Sequence, residues 1–186
     1  SYTGVSVERL NNNYGIPTPE GGMIKQSQNR YDFQHQTRDP FAGFSSVKFS
    51  AANSNYNHTE FGTSAYTPAA LWKNIANEAR LELAHKAILG WKGTFGAQVT
   101  ANSLEANEIG GGYAILPATK TNSNALFWIE EGRWGSLQGN LGLRYDNVKQ
   151  NPNSATEFEN NGANFSGGVA PTTPSLRTKN FNLLSY

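Results

Sequence analysis

Apolar and polar residues alternate along this chain with a period of two. In residues 78–101, Ala79, Leu81, Leu83, His85 and Ala87 hold the odd places, while Glu78, Arg80, Glu82 and Lys86 hold most of the even ones. After a break at 90–93, Phe95, Ala97, Val99 and Ala101 again hold the odd places. The same alternation recurs at Tyr31–Thr37, Val47–Ala51 and Leu137–Tyr145. Successive side chains of a strand point to opposite faces, so this pattern predicts two-faced β-strands. Helical periodicity is nearly absent. The one stretch that could pass for a helix, "AALWKNIANEARLEL", fits a strand better in its second half.

Eight strands are expected, over about 1–10, 30–38, 44–57, 77–88, 94–103, 122–131, 136–146 and 177–186. Short turns fall at "RDPFAGF", "LGWKGT" and "EEGRWGS", and long polar linkers at 11–29, 58–76, 104–121 and 147–176. Long and short connections therefore take turns. In an antiparallel meander this puts every tight turn on one edge of the sheet and every long loop on the other. Outer-membrane barrels have that asymmetry, with short periplasmic turns and long extracellular loops. The predicted fold is all-β: an antiparallel, up-and-down, transmembrane β-barrel segment spanning 1–186 as one unit.

The charges on the polar face decide what that face meets. Arg30 stands near Asp32, Arg80 near Glu78 and Glu82, and Arg144 near Asp146. An ion facing lipid near the bilayer midplane costs roughly 2–4 kcal/mol, so this face is expected to look into a lumen. Glu78, Arg80, Glu82, Arg144 and Asp146 are then lumen-facing, a mixed-sign ladder with no strong ion preference. The apolar face can meet hydrocarbon. Alternation alone fits a soluble barrel, apolar side inward, equally well. The loop asymmetry favours the membrane, as do aromatics near strand ends at Tyr2, Trp91, Trp134 and Tyr145. His35 and His85, on the apolar face just before short turns, are read as membrane-interface residues with Trp91, Trp134 and Tyr145.

Composition narrows the class further. Net charge is +1 and only 16% of the 186 residues are charged, so no basic field points to nucleic acid. The chain has no cysteine, which removes thiolate metal sites and Cys nucleophiles. The mean hydropathy of −0.56 would suit a soluble protein, yet barrel strands that hide half their residues in a wet lumen give similar values. No G-x-S-x-G, H-E-x-x-H or phosphate-cradling loop occurs, so no enzyme and no bound cofactor are expected.

The text "YTGVSVERLNNNYGIP" resembles an early barrel strand of TonB-dependent outer-membrane receptors. "NSNYNHTEF" resembles the end of the third strand of that family, and "NEARLELAHKAILGWKGTFGAQV" and "WGSLQGNLGLRYD" resemble its hairpins. The segments are in family order, and the nearest branch includes zinc-uptake receptors with siderophore and haem receptors. The resemblance implies an outer-membrane location in a Gram-negative bacterium. It also implies a 22-stranded barrel occluded by a plug, import of a metal or metal complex, and coupling to the TonB complex through the plug. The partners expected are outer-membrane lipid and an extracellular metal or siderophore ligand.

Several departures from the family point to a barrel fragment or an engineered derivative. No plug and no TonB-binding box are recognisable, about a third of the strands is present, and the alternation back from Tyr186 through Leu184 reaches Asn182 and Asn180. The "GGG" at 110–112 and "GTSAYTPAALW" at 62–72 are either natural loops or joins. The alternatives are a small eight-stranded barrel closed on itself and displaying receptor loops, or a soluble β-barrel binding module.

One metal candidate stands out. His58 and Glu60 lie two apart on one face at the loop end of the third strand, and imidazole nitrogen with carboxylate oxygen suits zinc once further ligands join. The competing reading is a family His-x-Glu unrelated to metal. Tyr14, Tyr56, Phe61, Tyr66, Tyr113 and Phe165 are either cargo-stacking or loop-packing aromatics.

Overall fold

A computed structural model of the chain describes residues 1–17, 21–62, 67–110, 114–152 and 177–186. It contains eight strands: β1 (Tyr2–Gly15), β2 (Met23–Arg38), β3 (Phe44–Phe61), β4 (Pro68–His85), β5 (Trp91–Glu108), β6 (Ala114–Trp134), β7 (Leu137–Pro152) and β8 (Lys179–Ser185). They form one antiparallel meander in chain order. β1 and β8 do not pair and make no contact, so the eight strands do not close on themselves.

The strands are longer than alternation predicts. β1 runs on to Gly15, β3 to Phe61 and β5 to Glu108, so most of what reads as linker at 11–29, 58–76 and 104–121 is strand. Their residues, such as Asn11–Asn13 and His58–Glu60, are polar on both faces. A strand wetted on both sides loses the alternation that marks a half-buried one. The two edges of the sheet are correspondingly more alike than expected. Residues 39–43, 86–90 and 135–136 turn on one edge, and 16–22, 62–67 and 109–113 connect on the other. The linker at 147–176 is strand to Pro152, and its remainder is outside the described residues.

The tight edge is built from left-handed residues. Leu89 (φ 52°) and Gly90 (φ 85°) are consecutive between Ile88 and Trp91, which exchange two backbone hydrogen bonds of 2.8 and 3.0 Å. Two central residues with positive φ give the reversal whose twist matches that of a hairpin. Gly90 also lacks a Cβ where the Trp134 indole comes close, so this position is fixed twice over.

The two faces are sorted as the alternation requires. One carries Val5, Phe33, Phe49, Leu81, Phe95, Leu126 and Leu143, with Val5 75% and Leu126 64% exposed. On the other, Ala106 is fully buried, and Ala125 and Phe127 are 5% and 7% exposed. A small alanine buried on one face, with a leucine open to solvent on the next, shows which way the sheet curls. The polar face is inside and the apolar face outside. A soluble barrel would have the reverse.

Register gives the slant of the wall. Tyr145 lies in the row of Leu126, Ala97 and Leu81, whereas Val5 and Val7 on β1 lie in the rows of Ala79 and Asn77. The outer apolar band thus slips toward the tight edge by about one residue per strand. With a rise of roughly 3.3 Å per residue and strands roughly 4.8 Å apart, that is a tilt of about 35°, typical of a barrel wall. β4, with 18 residues, then stands roughly 50 Å tall, well beyond an apolar band of about 25 Å.

Candidate functional site on the inner wall

The inner face carries all five residues expected in the lumen, Glu78, Arg80, Glu82, Arg144 and Asp146, joined by Arg30 and Asp32. Each arginine pairs within its own strand, two residues on. Arg30 Nη2 reaches Asp32 Oδ1 at 2.6 Å, Arg80 Nε reaches Glu82 Oε1 at 2.7 Å, and Arg144 grips Asp146 through Nε and Nη2 at 2.8 and 2.7 Å. This differs from a ladder of cross-strand ion pairs, because residues two apart on one strand already share a face. The cross-strand tie is the amide of Gln98. Its Oε1 accepts from Arg80 and Arg144, both at 3.3 Å, and its Nε2 donates to Glu78 at 2.8 Å. Arg80 also lies 4.2 Å above the Phe127 ring, which in turn covers Gly96. The result is a mixed-sign belt at mid-height, three arginines among four carboxylates, with its hydrogen bonds largely satisfied.

Toward the loop edge the inner face changes character. Three rows cross β3, β4 and β5: Tyr56, Asn74 and Leu104; His58, Trp72 and Ala106; Glu60, Ala70 and Glu108. Ala70 and Ala106 are small and buried, which lets larger neighbours lie over them. The His58 ring stacks on Trp72 with centroids 5.6 Å apart and planes 13° from parallel. Its Nδ1 meets the Tyr56 hydroxyl at 2.9 Å and its Nε2 meets Glu60 Oε1 at 3.4 Å. Both imidazole nitrogens are therefore engaged by protein. No group of three metal-ligating side chains occurs among the described residues. Beside this stack, Trp72 Nε1, Asn74 Oδ1 and Glu108 Oε2 are buried without a hydrogen-bond partner.

His58 and Glu60 were legible from their spacing. Trp72, Asn74 and Glu108 were not, because they belong to stretches that read as linker and reach His58 only through strand pairing. Tyr14 shares the inner face at this edge, since its row is Ile24 and Glu60. Tyr66, Tyr113 and Phe165 lie outside the described residues, as do residues 111–112 and the text 63–66.

Trp91, Trp134, Tyr145, His35 and His85, expected at a membrane interface, all lie on the outer face. Trp91 and Trp134 meet edge to face, centroids 4.7 Å apart, at the tight edge, where they lie over Gly132. Tyr145 is outward but not at a strand end. It sits at the upper limit of the apolar band, with its hydroxyl donating to Asn182 Oδ1 at 3.0 Å. Tyr2 pairs with Gln36 in the row of Lys48 and Glu82, so it belongs to the inner face and is no lipid anchor. His35 Nδ1 lies 2.8 Å from the Thr3 hydroxyl and its Nε2 3.0 Å from that of Thr37. His85 has a partner the alternation did not reveal, Glu130, on the same outward face at 2.8 Å.

A tilted meander with an apolar outside, a mixed-sign charged belt inside and tryptophans at one rim is a section of transmembrane barrel wall. The chain matches the family model described as "TonB dependent receptor-like, beta-barrel" over residues 2–183. It belongs to that family, whose members are outer-membrane receptors rather than enzymes.

Proposed function

We propose that this chain is part of the wall of a receptor importing a metal complex, and that the Tyr56–His58–Trp72 stack is where the wall meets cargo. The observation that carries this reading is the unpartnered set Trp72 Nε1, Asn74 Oδ1 and Glu108 Oε2 beside a flat aromatic surface, on the inner face at the loop edge. A planar or aromatic chelate with hydrogen-bonding groups on its rim suits such a surface: it stacks on the indole, accepts from Nε1 and donates to the two oxygens. A bare zinc ion suits it less, because both His58 nitrogens are taken. The open edges of β1 and β8 would be untenable in lipid, so the sheet continues into further strands of the same barrel.

The test uses the intact receptor, purified in detergent, titrated separately with haem, a ferric catecholate complex and Zn²⁺ while tryptophan fluorescence is followed. Binding of one of the complexes, weakened at least tenfold by Trp72→Ala, supports the reading. Binding of Zn²⁺ alone, abolished by His58→Ala and untouched by Trp72→Ala, overturns it in favour of a metal-ion site.

A further inference from the structure

The inner wall reverses its charge along its height. At the turn edge, beyond the belt, Arg38, Lys48, Lys92 and Arg133 face inward against Glu131, which lies 3.8 Å from Lys92. At the loop edge the inward charges are carboxylates. Glu60 and Glu108 flank the buried Ala70 in one row, two strands apart, or roughly 10 Å at the usual strand spacing.

The cations of the loop edge lie on the other side of the wall. Lys25 falls in the row of Leu71, Lys120 in that of Ile75 and Lys149 in that of Asn77, all outward, as is Lys73 among them. Lys73 also takes up the outward Glu105, at 3.4 Å. Of the lysines and arginines in the described strands, only Lys179 joins the inner face at this edge. It is on β8, four strands from Trp72, which is roughly 19 Å at about 4.8 Å per strand. The sequence of the connections on this edge, 16–22, 62–67, 109–113 and 153–176, contains Glu20, Glu157 and Glu159 and neither lysine nor arginine.

The inward carboxylates stand beside the aromatic stack. Glu60 Oε1 is 3.4 Å from His58 Nε2. Glu108 Oε2, one row to the loop side of Trp72, has no hydrogen-bond partner, and neither has Asn74 Oδ1, one row to its other side. Acceptors thus bracket the half-buried indole. Carboxylates and aromatic faces together are the chemistry that recognises a cation carrying N–H groups. A cleft lined by one sign of charge also concentrates ligands of the opposite sign at its mouth.

Resting on the reading of this stack as the cargo site, we propose that the wall selects a metal complex with positively charged amine groups on its rim. Glu60 and Glu108 would hold the ammonium groups while the chelate seats on the aromatic stack. Between the two complexes named above, this disfavours the ferric catecholate, whose chelating oxygens leave it multiply negative.

The test titrates the intact receptor in detergent, by calorimetry, with two gallium porphyrins alike except at the rim. One carries four ammonium groups and the other four carboxylates. The ammonium complex is expected to bind tighter by roughly tenfold or more, a preference that shrinks as salt rises from about 0.05 to 0.5 M. The preference should fall by roughly tenfold in the double variant Glu60→Gln, Glu108→Gln and persist in Glu131→Gln, an inward acid at the turn edge. Trp72→Ala should weaken both complexes alike. Tighter binding of the carboxylate complex, or an undiminished preference in a double variant that keeps the wild-type unfolding midpoint, overturns the charge selection and leaves the cargo site standing. Binding of neither complex, or binding of both that Trp72→Ala leaves unchanged, removes the site and the selection together.

Discussion

His85 Nε2 lies 2.8 Å from Glu130 Oε1 across an intervening strand, on the outward face of the wall. His85 is on β4 and Glu130 on β6, and the residue of β5 between them is Gly93. A Cβ there would collide with the Glu130 carboxyl and the Ile129 carbonyl. The glycine is the gap through which the carboxylate reaches. Trp128 Nε1 donates to the same carboxylate oxygen at 2.7 Å, and His85 Nδ1 meets the Lys86 carbonyl at 2.7 Å. Each ring nitrogen of His85 thus faces an oxygen, which holds the imidazole at both ends.

The two partners should therefore not contribute independently. Glu130→Leu is expected to lower the stability of the whole receptor in detergent by about 1–3 kcal/mol, since it removes the oxygen that His85 and Trp128 both meet. The double change His85→Leu, Glu130→Leu is expected to cost less than the sum of the two single changes. Denaturant unfolding of the four proteins checks this, and strict additivity would refute the pairing.

Gly96 is the corresponding gap on the inner face, where the Phe127 ring occupies the space a side chain would need. Gly96→Val is expected to destabilise by about 1–3 kcal/mol through overpacking and to loosen Arg80 from the ring. Gly142, with nothing within 4 Å of a Cβ, provides the control. Gly142→Ala is expected to change the unfolding midpoint little. Equal effects at the two positions would mean the ring does not rest there.

Orientation of the faces is open to a direct measurement. Leu126→Arg, in the outer apolar band, is expected to cost about 2–4 kcal/mol in folding from denaturant into lipid vesicles. Asn122→Arg, four residues up the same face of β6, is expected to cost no more than about 1 kcal/mol. The reverse order would mean the apolar face does not meet lipid.

The turn at the tight edge titrates with a known sign. Lys86 Nζ lies 2.7 Å from Asp39 Oδ1, and this hydrogen bond and charge hold the Asp39 carboxyl below the usual carboxylate range. A carboxyl depressed in the folded state contributes stability that is present above its unfolded value, near 4, and lost as pH falls through the folded one. The Asp39 midpoint, followed by NMR on the receptor labelled at aspartate, should lie below that of a free aspartate and return to it in Lys86→Gln. No movement on that substitution would deny the contact.

Much of the fold was legible, and the rest was hidden for a physical reason. Leu81, Leu83, Phe95 and Val99 lie where one face meets hydrocarbon and the other a wet lumen, so the contrast is written into alternate residues. Asn11–Asn13 and His58–Glu60 lie in strand above that level, where both faces are polar and no contrast survives. They read as loops for that reason. At the candidate site the same division holds. His58 and Glu60 are linked by spacing within a strand, whereas Trp72 and Glu108 join them only through register, which spacing does not reveal.

By itself the sequence determined eight strands, their order and the segregation of lysines, arginines and acids onto alternate positions, because these are properties of neighbours along the chain. The tertiary structure decided which distant residues became neighbours. It put Glu130 against His85 over Gly93 and tied two arginines to Gln98. Each of these depends on pairing partners and on the slant of the wall, quantities set by hydrogen bonds between strands rather than by the order of residues within one.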